Sequence, residues 1–323
     1  MTESGPDTLI EAVQHFSDLK VCHAYMVKLK WPDGRIVCPK CGGDQVGNIV
    51  SRCLLQCKAK ECRKQFSVKV GTIFEDSPLP LSKWFVAIWC VINAKNGVSS
   101  YEIHRALGVT QKTAWFMDHR IRLAMQTGSF RKFHDVVESD ETFIGGKAEN
   151  MHADKRAKRI QRRGSVGKTI VHGMLERGTG DDPSQVKACV IPNTEQPTIM
   201  GRLLDNVEKE TVLCTDSSSS YTNVGDRYIH HIIDHSVRYV MGCIHINGLE
   251  NFWSLFKRML KGTYIHMAPF HLDRYLDEET WRFNFRKLND GQRFNEVMKN
   301  IIGKRITYRL LCAIDDAGFM GIQ

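Results

Sequence analysis

Cys38-Pro-Lys-Cys41 constrains this chain more than any other segment, because two cysteines with two residues between them, beside Pro39 and Gly42-Gly43, form a metal-binding knuckle. After fifteen intervening residues, Cys57 and Cys62 make a second pair with four residues between them. Two such pairs fit the tetrahedral, thiolate-rich coordination of structural Zn2+, and four protein thiolates leave no open position for chemistry. Cys53 is the alternative to Cys57 or Cys62 as a ligand. Cys22, Cys90, Cys189, Cys214, Cys243 and Cys312 stand in apolar contexts and read as small buried side chains. Eleven cysteines is an odd number, and the N-terminus carries neither a basic n-region nor an apolar h-region. The expectation is a cytoplasmic protein, where metal ligation outweighs disulfide formation.

Around this cluster the patterning changes twice. From Asp7 to Lys30 apolar residues recur at helical spacing, with Ser17-Asp18 as the cap of a second helix, until Trp31-Pro-Asp-Gly34 stops it. Beyond the ribbon, Ser82 is expected to cap an apolar helix, a second helix runs from Ser99 or Ser100 to Leu107, Gly108-Val109 turns, and Thr110 caps a third. Two helices joined by a short glycine turn read as a helix-turn-helix, with a plain helical packing unit as the alternative. After Gly128, strands alternate with helices: a strand at Asp135–Asp140, a hairpin from Lys168–Arg177 to Gln185–Pro192, a helix at Thr198–Val207, strands at Thr211–Asp216 and Tyr228–Asp234, and a helix from Asn247 to Lys261. That order is mixed α/β. A basic stretch with Lys147, Lys155, Arg156, Lys158, Arg159, Arg162, Arg163 and Lys168 separates the first strand from the hairpin. The boundaries expected from these shifts are an N-terminal helical segment at 1–30, the ribbon at 31–77, the helix-turn-helix at 78–128, a catalytic region at 129–300 and a tail at 301–323.

The apolar run Trp84–Ile92 falls well short of the roughly 20 residues that span a bilayer, so no membrane is expected. A net charge of +9 suits a polyanionic partner.

Three acidic residues carry the chemistry. Asp140 and Asp216 each end a β-rich run, so each carboxylate is expected to emerge where a strand leaves the sheet. On the helix that begins at Asn247, the residues Asn247, Glu250, Ser254 and Lys257 form a polar stripe, with Leu249, Trp253, Phe256 and Leu260 on the apolar side. Three carboxylates held together repel unless cations neutralise them. Hard oxygen ligands suit Mg2+ or Mn2+, and two such ions would activate a water or a 3′-hydroxyl for in-line displacement at phosphorus. Lys257 would then meet a DNA phosphate. Singly, each acid has a plainer reading: Asn247 and Glu250 as a capping box, Asp140 as one of an acidic group with Glu138 and Glu141, Asp216 as the start of a serine turn. Three acids on suitable elements in order favour a site.

The segments Glu138-Ser-Asp140-Glu-Thr-Phe-Ile-Gly-Gly-Lys147, Leu213-Cys-Thr-Asp216 and His245-Ile-Asn247-Gly-Leu-Glu250-Asn-Phe-Trp-Ser-Leu-Phe-Lys257-Arg258 together resemble the DDE transposases of bacterial insertion sequences that pair a zinc ribbon with an integrase-type domain, a group related to the eukaryotic Merlin elements. The resemblance implies an α/β, RNase H-like catalytic core preceded by a zinc ribbon and a helix-turn-helix. It implies Asp140, Asp216 and Glu250 as the divalent-metal ligands and Lys257 as the associated basic position. Some members carry Asn in the third place, here Asn247, although a carboxylate is the better hard ligand. Implied too are hydrolytic cleavage at transposon ends and strand transfer by the freed 3′-hydroxyl. The partners would be double-stranded DNA, both terminal repeats and target, and a second copy of the chain, with at least a dimer on DNA. Thr110, Gln111, Lys112, Lys257 and Arg258 are the residues expected to meet DNA. Two other functions remain open: a transposase-derived DNA-binding regulator whose chemistry has lapsed, and an RNase H-like nuclease that cuts without joining.

Overall fold

The computed structural model describes residues 5–126, 131–145, 168–233, 244–265 and 267–312. The basic residues from Lys147 to Arg163 lie outside them. The chain divides into two compact units, Met1–Gln126 with Leu288–Gln323, and Thr127–Lys287.

In the first unit, α1 (Leu9–Ser17) opens on a capping box between Thr8 and Glu11, and α2 (Leu19–Lys30) is capped by Asp18, whose carboxylate accepts from Lys20 N–H. A small antiparallel sheet follows, in the order β1 (Val46–Ile49), β2 (Leu54–Cys57), β3 (Gln65–Phe66). Helix α3 (Leu81–Asn93) starts from Pro80 rather than Ser82. Pro80 holds extended backbone at φ −65° and ψ 153°, so the chain turns helical immediately after it and Ser82 falls inside the first turn. Helix α4 (Ser100–Leu107) has a capping box between Ser99 and Glu102 and ends on Gly108 at φ +59°, a left-handed conformation that lets the chain turn at once into α5 (Gln111–Met125), capped by Thr110.

The expected catalytic region extends to residue 300, but the second unit ends at Lys287 and the chain then returns to the first. The physical reason is Phe294 on α9 (Asp290–Lys299), whose ring lies 5.0 Å from Phe16, 5.7 Å from Phe85, 5.8 Å from Trp89 and 5.9 Å from Tyr25. Aromatic pairs in this range each contribute about 1 kcal/mol beyond their burial. The backbone adds hydrogen bonds from Ile73 N–H to Ile301 O and from Gly303 N–H to Gly71 O. A last short helix, α10 (Tyr308–Leu311), closes the described part of this unit.

The second unit is built on a five-stranded sheet. Its strands are β4 (Val136–Ile144), β5 (Thr169–Glu176), β6 (Gln185–Ile191), β7 (Val212–Asp216) and β8 (Ile229–Ile233), lying in the order β6-β5-β4-β7-β8. The first three run antiparallel, and β7 and β8 continue parallel to β4. This is the strand order of an RNase H-like core. One face packs on α6 (Gln196–Asn206) through Val137, Met174, Leu213, Ile199 and Leu203. The other packs on α7 (Asn247–Met259) and α8 (Leu272–Asn284) through Val171, Leu175, Leu249, Phe252, Phe256 and Leu276. Burying each of the larger apolar side chains contributes roughly 1.5–3 kcal/mol.

Two local expectations change. Strand β4 runs on to Ile144, because its pairing with β5 continues to Ile144↔Thr169, so Asp140 sits mid-strand rather than at a strand end. Helix α7 has no capping box: Ile246 is its N-cap and no side chain of the cap bonds the helix. Among the described residues no helix is long and apolar enough to cross a membrane.

Candidate active site and thiolate cluster

Asp140 is mid-strand on one side of β4 and at an opening on the other. Pairing with β7 stops at Glu138↔Cys214, two residues before Asp140 on one strand and Asp216 on the other. Because side chains alternate along a strand, Asp140 and Asp216 project from the same sheet face as Glu138 and Cys214. The structure thus brings the two aspartates to the point where the parallel strands part, which is where an α/β sheet opens a crevice.

Helix α7 lies over that face. Trp253 Nε1–H donates to Asp140 Oδ2 at 3.0 Å. The indole reaches it over Gly173, which pairs with Asp140 across β4 and β5. A Cβ on Gly173 would stand 2.6 Å from Trp253 Cζ2, so only a glycine leaves room for the ring. Trp253 was expected only to fill the apolar stripe; its buried ring with a polar edge is the signal that it also meets a partner. Glu250, one turn earlier, is exposed to solvent. Burial first, then the charge of Asp216, and further the charge of Glu250, push Asp140 up to about 6 against the indole hydrogen bond and the Glu141 N–H. Asp216 and Glu250 therefore both lie close enough to Asp140 for their charges to act on it.

An open cavity of about 610 Å³ runs along α7. Asp140, Glu141 and Glu250 line one part of it and Lys257, Arg258 and Lys261 another, while Asp216 is not in the lining. Asn247, exposed at the first position of α7, is not in the lining either. Glu141, not predicted as a site residue, is raised to about 7, by burial first and also by the charges of Asp140 and Asp216, although the Tyr221 hydroxyl donates to it at 2.6 Å. Behind Tyr221, Ser139 Oγ bridges to Tyr221 Oη at 3.0 Å and His172 Nε2 at 2.9 Å. Carboxylates raised by burial and one another's charge in an open cavity are the usual signature of a functional site, and a cation among them would relieve that repulsion.

Cys38, Cys41, Cys57 and Cys62 come together with their sulfurs all within 4.8 Å. Cys38 Sγ lies 3.7 Å from Cys62 Sγ, and Cys41 Sγ lies 3.6 Å from Cys57 Sγ. Those separations are far beyond a disulfide at about 2.05 Å. They match the edges of a tetrahedron of thiolates around Zn2+, about 3.8 Å for bonds of about 2.3 Å. The knuckle supplies a further ligand-side contact, Lys40 N–H to Cys38 Sγ at 3.4 Å. Cys53 is outside the cluster, in a left-handed turn at φ +49°.

The expected DNA-facing residues on α5 are largely engaged within their own unit. Thr110 caps the helix by accepting from Thr113 N–H, Gln111 Nε2 donates to Ser100 Oγ at 2.9 Å, and Lys112 Nζ lies 4.4 Å above the Tyr308 ring.

Comparison with known proteins agrees with this architecture. Residues 132–284 match the ISXO2-like transposase domain, and residues 19–65 match the transposase zinc-ribbon domain. A transposase-like protein of Haemophilus influenzae is 31% identical over 101 residues, covering 31% of this chain and 81% of that protein. A protein in transposable element ISH50 of Halobacterium salinarum is 26% identical over 247 residues, covering 73% of this chain and 81% of that protein. The chain belongs to the insertion-sequence transposases with an ISXO2-like transposase domain and a transposase zinc ribbon.

Proposed function

We propose that this transposase cuts and joins DNA with divalent cations held by Asp140, Asp216 and Glu250. The observation that carries the reading is geometric: Asp140 and Asp216 project from one sheet face where β4 and β7 part, and Glu250 lines the same cavity as Asp140. Bound there, a pair of Mg2+ or Mn2+ ions would activate a water or a 3′-hydroxyl and stabilise the leaving oxygen at phosphorus.

The chain's own groups set the stage for that step. Trp253 holds Oδ2 of Asp140 and so orients the carboxylate. Glu250, exposed on α7, completes the donor set better than Asn247, which stands nearly a full turn earlier and outside the cavity lining. Lys257, Arg258 and Lys261 give the cavity a cationic side for the phosphates of double-stranded DNA. The four thiolates hold structural Zn2+, with no catalytic role. Helices α4 and α5 act as a helix-turn-helix toward the transposon ends, with the chain at least dimeric on DNA, in the cytoplasm. Of the expected α5 contacts, Lys112 and Gln111 would have to leave Tyr308 and Ser100 to reach DNA.

Joining separates this function from that of a nuclease. Purified protein is incubated in Mg2+ with a duplex carrying the DNA that flanks the reading frame and with a circular target. Flanking-DNA 3′ ends covalently linked to the target are the expected product. Cleavage without linked product would leave a nuclease, and binding without cleavage a regulator.

A further inference from the structure

Helix α7 carries Glu250 but supplies no cap of its own: Ile246 makes no side-chain bond to the first turn. The cap comes from β4. Leu249 N–H, besides its turn bond to Ile246 O at 3.1 Å, donates to Glu138 Oε2 at 2.8 Å. Glu138 is fully buried. Its other oxygen, Oε1, accepts from Arg177 Nε–H at 2.8 Å, and Arg177 Nη2–H donates to His245 O at 2.6 Å, so the residues leading into α7 are held by the same clamp. Gly248 makes the approach possible, since a Cβ there would stand 2.9 Å from Glu138 Oε2.

Among the described residues, the clamp and a second hydrogen bond tether α7 to β4. Leu249 is tied to Glu138 and Trp253 to Asp140. Along the helix the tethers are four residues apart, a rise of about 6.0 Å at 1.5 Å per residue. Along the strand they are two residues apart, about 6.6 Å at 3.3 Å per residue. The two spacings match, so helix and strand lock in a single register. A slip of one residue would turn Glu250 by about 100° around the helix axis. An ion pair in this setting contributes little stability over an apolar replacement, and its best-attested use is to fix register.

We infer that Glu138 is a positioning residue for the metal site: with Arg177 and Gly248 it sets the rotation and height of α7, and through them the place of Glu250 beside Asp140. The inference rests on the reading of Glu250 as a metal ligand.

The test is a double-mutant cycle on Mn2+ binding to the full chain, followed by electron paramagnetic resonance, with thermal unfolding alongside. Glu138→Gln is expected to stay folded and to weaken Mn2+ binding about tenfold or more. In a Glu250→Gln background the same change is expected to alter binding less than about twofold, because the ligand it positions is already lost. Gly248→Ala, which drives a Cβ into the clamp while leaving every charge in place, is expected to reproduce the loss and serves if Glu138→Gln does not fold. Unchanged Mn2+ affinity in Gly248→Ala and Glu138→Gln, beside a weakened Glu250→Gln, would overturn the positioning role alone. Fully multiplicative losses would do so too, since they would mean that Glu138 acts without Glu250. Unchanged affinity in Glu250→Gln itself would instead overturn the reading of Glu250 as a ligand.

Discussion

Trp253 Nε1–H donates to Asp140 Oδ2 at 3.0 Å across the bare backbone of Gly173, which pairs with Asp140 on the neighbouring strand. A side chain from the apolar stripe of α7 thereby reaches into the acidic group. Trp253→Phe retains most of the packing and removes the hydrogen bond. A hydrogen bond to a charged group is worth roughly 1.5–3 kcal/mol, so the substitution is expected to lower stability by about that much and, with Asp140 no longer oriented, to weaken Mn2+ binding and slow cleavage about tenfold. Calorimetric Mn2+ titration and a single-turnover cleavage assay of the same preparation check it.

Gly173→Ala places a methyl 2.6 Å from Trp253 Cζ2 and 3.1 Å from Leu249 Cδ1, both buried. The ring must move. Overpacking of this kind costs about 1–3 kcal/mol, and urea denaturation is expected to show that loss together with a cleavage defect like that of Trp253→Phe. A stable, fully active Gly173→Ala protein would refute the placement of the indole.

The protonation of Asp140 gives the metal site a pH dependence. The carboxyl lies at about 6, above its ordinary value, and a metal ligand must be ionised. Below pH about 6 a proton competes with the cation. Mn2+ affinity is therefore expected to rise up to about tenfold per unit as pH increases toward 6, and to flatten above about 7. Titrations from pH 5 to 8 would show this; affinity independent of pH would exclude Asp140 as a ligand with that value.

His172 sets a separate dependence for stability. Burial, with the Arg202 charge, lowers it to about 3, and its Nε2 is held by Ser139 Oγ. Between about 3 and the ordinary value near 6.5, the unfolded chain binds a proton that the folded chain refuses, so this contribution is complete above 6.5 and is lost as pH falls toward 3. The slope is about 1.4 kcal/mol per unit for one group. Urea unfolding of the wild type and His172→Gln at pH 7 and pH 5 checks it: the substitution should make stability less acid-sensitive, and equal acid sensitivity in both would contradict it.

For the thiolate cluster, elemental analysis of purified protein is expected to give one zinc per chain. Cys57→Ser should lose it together with the order of β1, β2 and β3, whereas Cys53→Ser should retain it. Zinc loss in the Cys53→Ser protein would show a different ligand set.

Sequence spacing made part of this molecule legible. The four cysteines lie on short knuckles whose ligand distances are set locally, and the alternation of strands and helices after Gly128 reflects local periodicity. What spacing could not reach are relationships set by tertiary pairing. Asp140 reads as the end of an apolar run, yet the strand continues, because β5 pairs with it for longer than β7 does. The Asn247 and Glu250 pattern reads as a capping box, while the observed cap comes from Glu138, 111 residues away. Phe294 looks like any apolar residue on a helix face, and only the cluster of Phe16, Tyr25, Phe85 and Trp89 shows why the chain returns to the first unit after Lys287.

The proposed role of Asp140, Asp216 and Glu250 is that of one metal-binding unit. Mg2+-dependent cleavage of a flanking-DNA duplex by Asp140→Asn, Asp216→Asn, Glu250→Gln and Asn247→Ala, each shown to be folded, tests it most directly. Each of the first three is expected to lose at least about 100-fold in rate, equivalent to about 2.7 kcal/mol of transition-state stabilisation, with Asn247→Ala close to wild type. Wild-type cleavage by any one of the first three variants, or a loss confined to Asn247→Ala, would rule out that role.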